Sequence, residues 1–406
     1  MSLEECTKLE KLLQVFYLGQ LVGLPTLNSI LVKHGVVSNS AQISYQKLAS
    51  NLSISTIRKL FEEVFSAQLG QVLQEMSEKD SSCWSKTTVT VVLDDSVFRC
   101  WLSSQNHLKD FEECYGKFFS GQFGTSVYGF RVLTLGVSID GVFYPLFFDF
   151  IKKKTSNAYQ KPAKVAQKLV RRWGEYRKKL TRTGYDFPTL HLSCDNGYSN
   201  EALAESCAQN GLCYISVTKK SHYVVIEGQK VKLSDWIEKE FIPAEQAHQA
   251  SQKMLPEEDK TTFKRRISAY YCSKKQAVTL LFFRLNGSKK VSVIYSTSKH
   301  IFAKTLRRHW FQRTYIEQFF KLLKHVLQIG EARTKDKKGF EFKLYRFSYV
   351  ALHAQKLVKW IRKQMKGFNK KGFITIQRTL NSDPDILDLL QEKLIANICK
   401  SNSYKQ

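Results

Sequence analysis

Asp140-Gly141 separates two long runs rich in β-branched and aromatic residues, Val127 to Ile139 and Val142 to Ile151. An Asp-Gly pair accepts the two positive-φ positions of a tight hairpin turn at low cost, so the runs are expected to return on each other as antiparallel strands. A chain committed to that hairpin has a wide apolar sheet to cover, and the flanking sequence supplies the cover. Thr87 to Leu93 is a further β-branched run and ends at Asp94-Asp95-Ser96. A basic helix is expected over 163–180, then a short buried strand, Leu190 to Cys194, that ends at Asp195-Asn196-Gly197. A helix over 200–209 and a strand over Leu212 to Val217 follow.

Three antiparallel strands followed by helix, strand, helix and strand is the order of a ribonuclease H-like sheet. The expected fold class is therefore α/β: a ribonuclease H-like mixed sheet flanked by helices. From about residue 219 the alternation stops. A mixed helical stretch (233–260) and two strands (277–285 and 290–296) joined through Asn286-Gly287 read as a β-containing insertion. A single long helix, 304–329, follows.

Residues 1–85 read as an N-terminal helical domain. Leu9, Leu12, Leu13, Val15 and Phe16 recur at helical spacing, and Tyr45 to Phe61 reads as a short helix, a turn near 51–53 and a second helix capped by Ser53 or Ser55. That pattern suits a DNA-reading helix-turn-helix or an ordinary helical hairpin, and the segment's lack of positive charge favours the hairpin. The expected domains are 1–85, a first core segment 86–220, the insertion 221–300, a last core segment 301–362 and a basic helical tail 363–406.

Charge points to the partner. The 406 residues carry 63 Lys and Arg against 36 Asp and Glu, a net +27. Repulsion on that scale opposes compaction and is relieved by a polyanion: nucleic acid, as double-stranded DNA, leads, and an anionic membrane surface, the rival, lacks a Lys-rich amphipathic helix with a broad lipid face. The excess is uneven: residues 152–182 and 333–371 each carry a net +11, whereas 1–85 is close to neutral. Arg171, Arg172, Lys178 and Lys179 lie within the first basic segment and are expected to contact backbone phosphates. Trp173 and Tyr176 between them are at core spacing. Nine scattered Cys with no CxxC pair fit neither a disulfide framework nor a zinc ribbon. No nucleotide-cradling glycine loop and no His pair at metal-ligand spacing occurs. The acidic start Met1-Ser2-Leu3-Glu4-Glu5 lacks a signal peptide's positive charge, and no apolar run is long enough to span a bilayer, so an intracellular protein without a membrane partner is expected.

Three acidic positions stand out. Asp94, with Asp95 as its alternative, and Asp195 each follow a buried strand, where a carboxylate is costly to desolvate unless it meets a cation. Asp also serves commonly as a turn or cap residue at such places. The third is Glu317, within Trp310-x2-Arg313-x3-Glu317-x6-Lys324. Arg313, Glu317 and Lys321 are four apart and, with Lys324, share one helical face opposite Ile316, Phe319, Phe320, Leu323 and Leu327. A solvated, salt-bridged face accounts for that pattern equally well.

The Trp310–Arg313–Glu317–Lys324 spacing resembles the Tyr–Arg–Glu–Lys signature of insertion-sequence DDE transposases, with Trp310 in place of the family's Tyr. Leu93-Asp94-Asp95-Ser96 resembles the family's first aspartate strand and Cys194-Asp195-Asn196-Gly197-Tyr198 its second. The resemblance covers about 87–220 and 291–360. It implies a cut-and-paste transposase with a ribonuclease H-like core, in which Asp94, Asp195 and Glu317 are the catalytic carboxylates and hold Mg²⁺ or Mn²⁺, two ions in all. It further implies that Arg313, Lys324, Lys321 and Trp310 contact DNA, that the substrates are terminal inverted repeats and target DNA, and that a homodimer pairs two ends. The implied setting is the cytoplasm of a prokaryote.

Overall fold

The computed structural model describes residues 53–78, 87–100, 113–121, 124–182, 184, 190–253, 262–285, 288–327, 329–330 and 337–364. Two compact units are present. One comprises Glu62–Phe320 with Gly330–Lys337, and the other takes in residues up to Phe61, Lys321–Ile329 and Lys338 onward. The first unit begins at Glu62 and includes residues 221–300. The first half of the expected N-terminal helical pattern lies outside the described residues.

The larger unit is built on an 11-stranded sheet. Its core strands are β1 (Val89–Arg99), β2 (Tyr115–Ser120), β3 (Thr125–Ile139), β4 (Val142–Ile151), β5 (Leu190–Cys194) and β6 (Leu212–Val217). The spatial order β4-β3-β1-β5-β6, with β3 antiparallel to β1 and with β1, β5 and β6 mutually parallel, makes the sheet ribonuclease H-like. β2 pairs with the first half of β3 and β4 with the second half, on the same edge. The β3–β4 turn is made by Asp140 (φ 46°) and Gly141 (φ 89°), the positive-φ pair expected of a two-residue hairpin loop. Opposite Gly136 the β4 strand slips register, and a Cβ at 136 would lie 2.2 Å from the Tyr144 carbonyl oxygen, so only glycine fits the bulge.

Helices cover both faces of this core, and its strands read as continuous apolar runs because neither face meets water: Val91, Val92 and Leu93 are fully buried. α1 (Ile54–Glu78) is capped by Ser53, whose Oγ accepts from the Thr56 amide at 3.1 Å. Its later turns bury Phe65, Leu69 and Leu73, with Phe65 edge-on to Phe148 of β4. α2 (Pro162–Arg182) buries Val165, Leu169, Trp173 and Tyr176, and the Tyr176 hydroxyl donates to the Ser66 carbonyl oxygen of α1. The aromatic pair in this basic helix is therefore core, as its spacing indicates. α3 (Glu201–Gln209) connects β5 to β6.

The segment expected to stand outside the core instead prolongs the sheet. β11 (Val291–Ser296) pairs antiparallel with β6, and β10 (Gln276–Arg284), β9 (Lys264–Tyr271), β7 (Tyr223–Ile226) and β8 (Gln229–Lys232) follow in that order. The open edge of β6 would expose a ladder of unpaired amides and carbonyls, and β11 satisfies it. Of the helical stretch expected over 233–260, the described part is α4 (Leu233–Trp236), a π-turn (Ile237–Phe241) and α5 (Ile242–Gln252), and 254–260 lie outside the described residues.

The long helix expected over 304–329 is broken. α6 (Ala303–Phe311) ends at Gln312-Arg313, α7 (Thr314–Lys321) restarts, and a π-helical turn, Leu322–Val326, succeeds it. At the break the amides of Arg313, Tyr315 and Ile316 bond three residues back instead of four, and the Thr314 hydroxyl competes for the Phe311 carbonyl at 2.8 Å. The Gln312 side chain, nearly buried, accepts from Ser138 of β3 at 2.7 Å and pins the break to the sheet. In the second unit, Phe61 stacks on Tyr345 of α8 (Lys337–Gln364), and the Arg58 guanidinium binds the buried Glu341 carboxylate. Arg58 is thus held by a carboxylate. Among the described residues no helix is long and apolar enough to cross a membrane.

His191 of β5 and His309 of α6 stack with ring centroids 4.2 Å apart, and neither His191 ring nitrogen has a partner. Burial pushes the His191 imidazole down to about 4. Burial, with help from His191 and Arg308, pushes His309 down to about 3. Between the ordinary value of 6.5 and these folded values the unfolded chain binds more protons than the folded one. Stability is therefore full above that ordinary value and is lost as pH falls toward 4. His191→Leu is expected to lose less stability than the wild type on going from neutral pH to about pH 4.5, measured by urea unfolding at each pH; equal losses would remove the histidine pair as the cause.

Candidate active site

The site starts at the end of a ladder. Leu93 of β1 pairs with Cys194 of the parallel strand β5, and the next residues, Asp94 and Asp195, are both acids. Neighbouring strands lie about 4.8 Å apart, so the two carboxylates leave the sheet rim side by side. Glu317 comes from the first turn of α7. Arg313, in the break before α7, reaches all three: its Nη1 lies 2.9 Å from Glu317 Oε1, 3.6 Å from Asp94 Oδ2 and 4.0 Å from Asp195 Oδ1. Residues separated by more than 200 positions thereby share one guanidinium nitrogen.

Their surroundings differ. The Asp94 side chain is 15% exposed, whereas those of Asp195 and Glu317 are 53% and 40% exposed and open to solvent. Burial pushes the Asp94 carboxyl up to about 7, partly offset by Arg313 and reinforced by Asp95 and Asp195. One arginine against three carboxylates leaves a local excess of negative charge inside a strongly basic protein. Asp94, Asp195 and Glu317 present hard oxygen donors on a shared opening, a donor set that suits Mg²⁺ or Mn²⁺. Among the described residues no three His, Cys, Asp or Glu side chains stand in a ready coordination arrangement. The Arg313 guanidinium lies where the three carboxylates meet, and a cation bound there would take over its neutralising role.

Asp95 is engaged elsewhere. Alternation along β1 turns it to the opposite face from Asp94, the face of Arg131, which sits diagonally across the β1–β3 ladder. Arg131 binds it through Nε at 2.6 Å and Nη2 at 3.0 Å, and the Tyr198 hydroxyl also donates to it. Tyr198 closes the single turn that follows Asp195, so this ion pair ties the β5 exit to β1 directly behind the acids. Neither Arg131 nor Tyr198 is among the residues expected from sequence. The one signal for Tyr198 is its position three residues after Asp195; Arg131 carries no local signal, because only the hairpin register brings it to Asp95.

The remaining sequence candidates are distributed as follows. Trp310, in the last turn of α6, packs edge-on against Phe283 and Phe311, and its indole N–H has no partner. Lys321 is exposed at the end of α7, and Lys324 lies in the π-helical turn. The four charges expected on one continuous helical face thus span a break, an α-helix and a π-turn. Arg171, Lys178 and Lys179 are exposed on α2. Arg172, expected with them, is turned inward: it pairs with Glu62 and lies 4.3 Å above the Phe147 ring.

No family model matches the chain, and no curated protein matches it in sequence. Several solved structures are similar to it, among them two DNA-bound proteins. A piggyBac transposase in a synaptic complex with hairpin DNA aligns with a TM-score of 0.33 and 12% identity, over 72% of this chain and 51% of that one. Endonuclease V from Ciona intestinalis, in complex with DNA containing an inosine, aligns with a TM-score of 0.24 and 9% identity, over 66% of this chain and 87% of that one. The chain spans about half the length of the piggyBac transposase chain.

If Asp95 is a structural acid, removing its partner leaves a largely buried carboxylate uncompensated. Arg131→Ala is expected to cost about 2–3 kcal/mol in urea unfolding, and adding Asp95→Asn should recover most of it. A cost below about 0.5 kcal/mol for Arg131→Ala would show that the pair does not hold this rim together.

Proposed function

We propose that this protein is a DNA transposase of the insertion-sequence DDE type, which binds the terminal inverted repeats of its element, cuts at their ends and joins them to target DNA. The reading rests on one observation above the rest: Asp94, Asp195 and Glu317 meet around Arg313 at the C-terminal rim of two parallel strands. Acids gathered in such numbers are costly unless cations answer them. The donor set fits Mg²⁺ or Mn²⁺, two ions in all, which when bound would activate the attacking oxygen and stabilise the leaving oxygen of a phosphodiester.

The chain's own groups do the rest. Asp94, Asp195 and Glu317 would hold the ions. Asp95, clamped by Arg131 and Tyr198, keeps the two strand exits in register. Arg313 provides a fork of donors for non-bridging phosphate oxygens, and Lys321 and Lys324 are further cations for DNA contact. Arg171, Lys178 and Lys179 neutralise backbone phosphates without reading sequence. Trp310, packed on Phe283 and Phe311, is the remaining residue assigned to DNA contact by the resemblance. A homodimer that brings two element ends together, in a prokaryotic cytoplasm, completes the reading.

The test uses a plasmid carrying the element's ends, the purified protein and Mg²⁺. Cleaved and joined products are expected with the wild type. Asp94→Ala, Asp195→Ala and Glu317→Ala should each lower cleavage roughly a thousandfold or more while leaving DNA binding in gel shifts nearly unchanged. Cleavage without joined products would reduce the function to a metal-dependent endonuclease. DNA binding with no cleavage under any divalent metal would leave a non-catalytic DNA-binding protein. Near wild-type cleavage by the Asp195 variant would overturn the site.

A further inference from the structure

A second cluster of charge lies on the other side of the α6–α7 break. Lys304, Arg307, Arg308 and Phe311 recur at i, i+3, i+4 and i+7 along α6 and so share one face. With Lys264 from the start of β9 and Tyr315 from α7 they line a groove of about 650 Å³. No acid lines it, and among the described residues none of its four cations pairs with a carboxylate. Arg307 lies over the rings of Phe283 and Phe311, at 5.5 and 5.1 Å, and its buried Nε has no hydrogen-bond partner. The Lys264 ammonium is pushed below its ordinary value by burial and then by Arg307 and Lys304, as expected of cations crowded without counter-charge.

We propose that this groove along α6 binds the phosphodiester backbone of the DNA duplex, a site distinct from the basic face of α2 and from Arg313. The proposal rests on the transposase reading and adds to it the path of the DNA. Lys304 to Phe311 spans about 10 Å of helix, enough for about three phosphates at 3.4 Å of axial rise each. Tyr315, which lines the groove, belongs to α7, the helix that also carries Glu317. A small free anion would not need four cations along an open channel. A row of cations along one helix face matches the regular spacing of backbone phosphates, which an acidic peptide's irregular side chains do not offer.

The experiment measures binding of the full chain to a 30-base-pair duplex by fluorescence anisotropy, in EDTA, over a series of salt concentrations. Lys304 and Arg308 are exposed, so Lys304→Gln with Arg308→Gln should fold normally, checked by an unchanged thermal midpoint. The log–log salt slope of this double variant is expected to be shallower by about 1.8, that is about 0.9 for each phosphate no longer neutralised. Lys239→Gln with Lys253→Gln removes the same net charge from exposed positions elsewhere and should leave the slope within about 0.5 of the wild type. Equal slopes in the wild type and the Lys304/Arg308 variant, or equally shallow slopes in the two double variants, would overturn the groove alone. A wild type that does not bind duplex DNA would overturn the transposase reading and the groove with it. Binding to phosphatidylserine vesicles that is abolished in the Lys304/Arg308 variant, with duplex binding unchanged, would assign the groove to a membrane surface instead and likewise overturn it.

Discussion

The parallel ladder between β1 and β5 ends at Leu93 and Cys194, and the site depends on where it ends. β1 continues to Arg99 along β3, but β5 leaves the sheet at once through the short turn Asn196–Tyr198. Asp94 therefore remains on a rigid strand, largely buried, while Asp195 points from the start of a turn toward solvent. Two acids that would repel each other in one environment are held in two. The Tyr198 hydroxyl, returning to Asp95, and the Arg131 ion pair keep the turn from drifting away from the strand.

The third acid depends on a defect. An unbroken helix from Ala303 to Lys321 would carry its charges past the rim on a single spiral. The pin between Gln312 and Ser138, with the Thr314 hydroxyl competing for a carbonyl, stops the helix at Arg313 and starts it again one turn before Glu317. The break divides the charge of this region. Carboxylates gather on one side around a single arginine, and cations without acidic partners gather on the other along α6. A chain with net charge +27 thus places three carboxylates around Arg313 and a row of cations along α6.

Local physics made much of the core legible. The Asp140-Gly141 turn, Val142–Ile151, Leu190–Cys194 and Leu212–Val217 fall where β-branched runs and turn chemistry place them. The core face of α2 follows from its spacing, and Ser53 caps α1 as a serine before an apolar run should. The region 221–300 was less legible. Two of its strands could be read, but β7, β8 and β9 are short or strongly charged, and nothing in β11 announces that β6 is its partner. Strand pairing between segments some 75 residues apart is decided by which edge is left open, which no local window contains.

The site shows the same division. The residue types and intervals of Asp94, Asp195, Arg313 and Glu317 are properties of the sequence, because a buried strand that ends in an acid and a helix with charges four apart are local patterns. The choice between Asp94 and Asp95 belonged to the fold, since strand alternation and the register with Arg131 send one to the shared opening and lock the other in an ion pair. Arg172 and Trp310 carried the same ambiguity. A cation or an aromatic ring on a helix serves solvent, DNA or core according to what is packed against it, and here Glu62 with Phe147, and Phe283 with Phe311, are what is packed. The sequence by itself determined the strands, the basic helix and the acids at the strand ends, because each is settled by interactions over a few residues. Only the tertiary structure decided which acids meet, where the helix carrying Glu317 breaks and which cations face the groove without a counter-charge, because those outcomes depend on long-range register and on competition for buried partners.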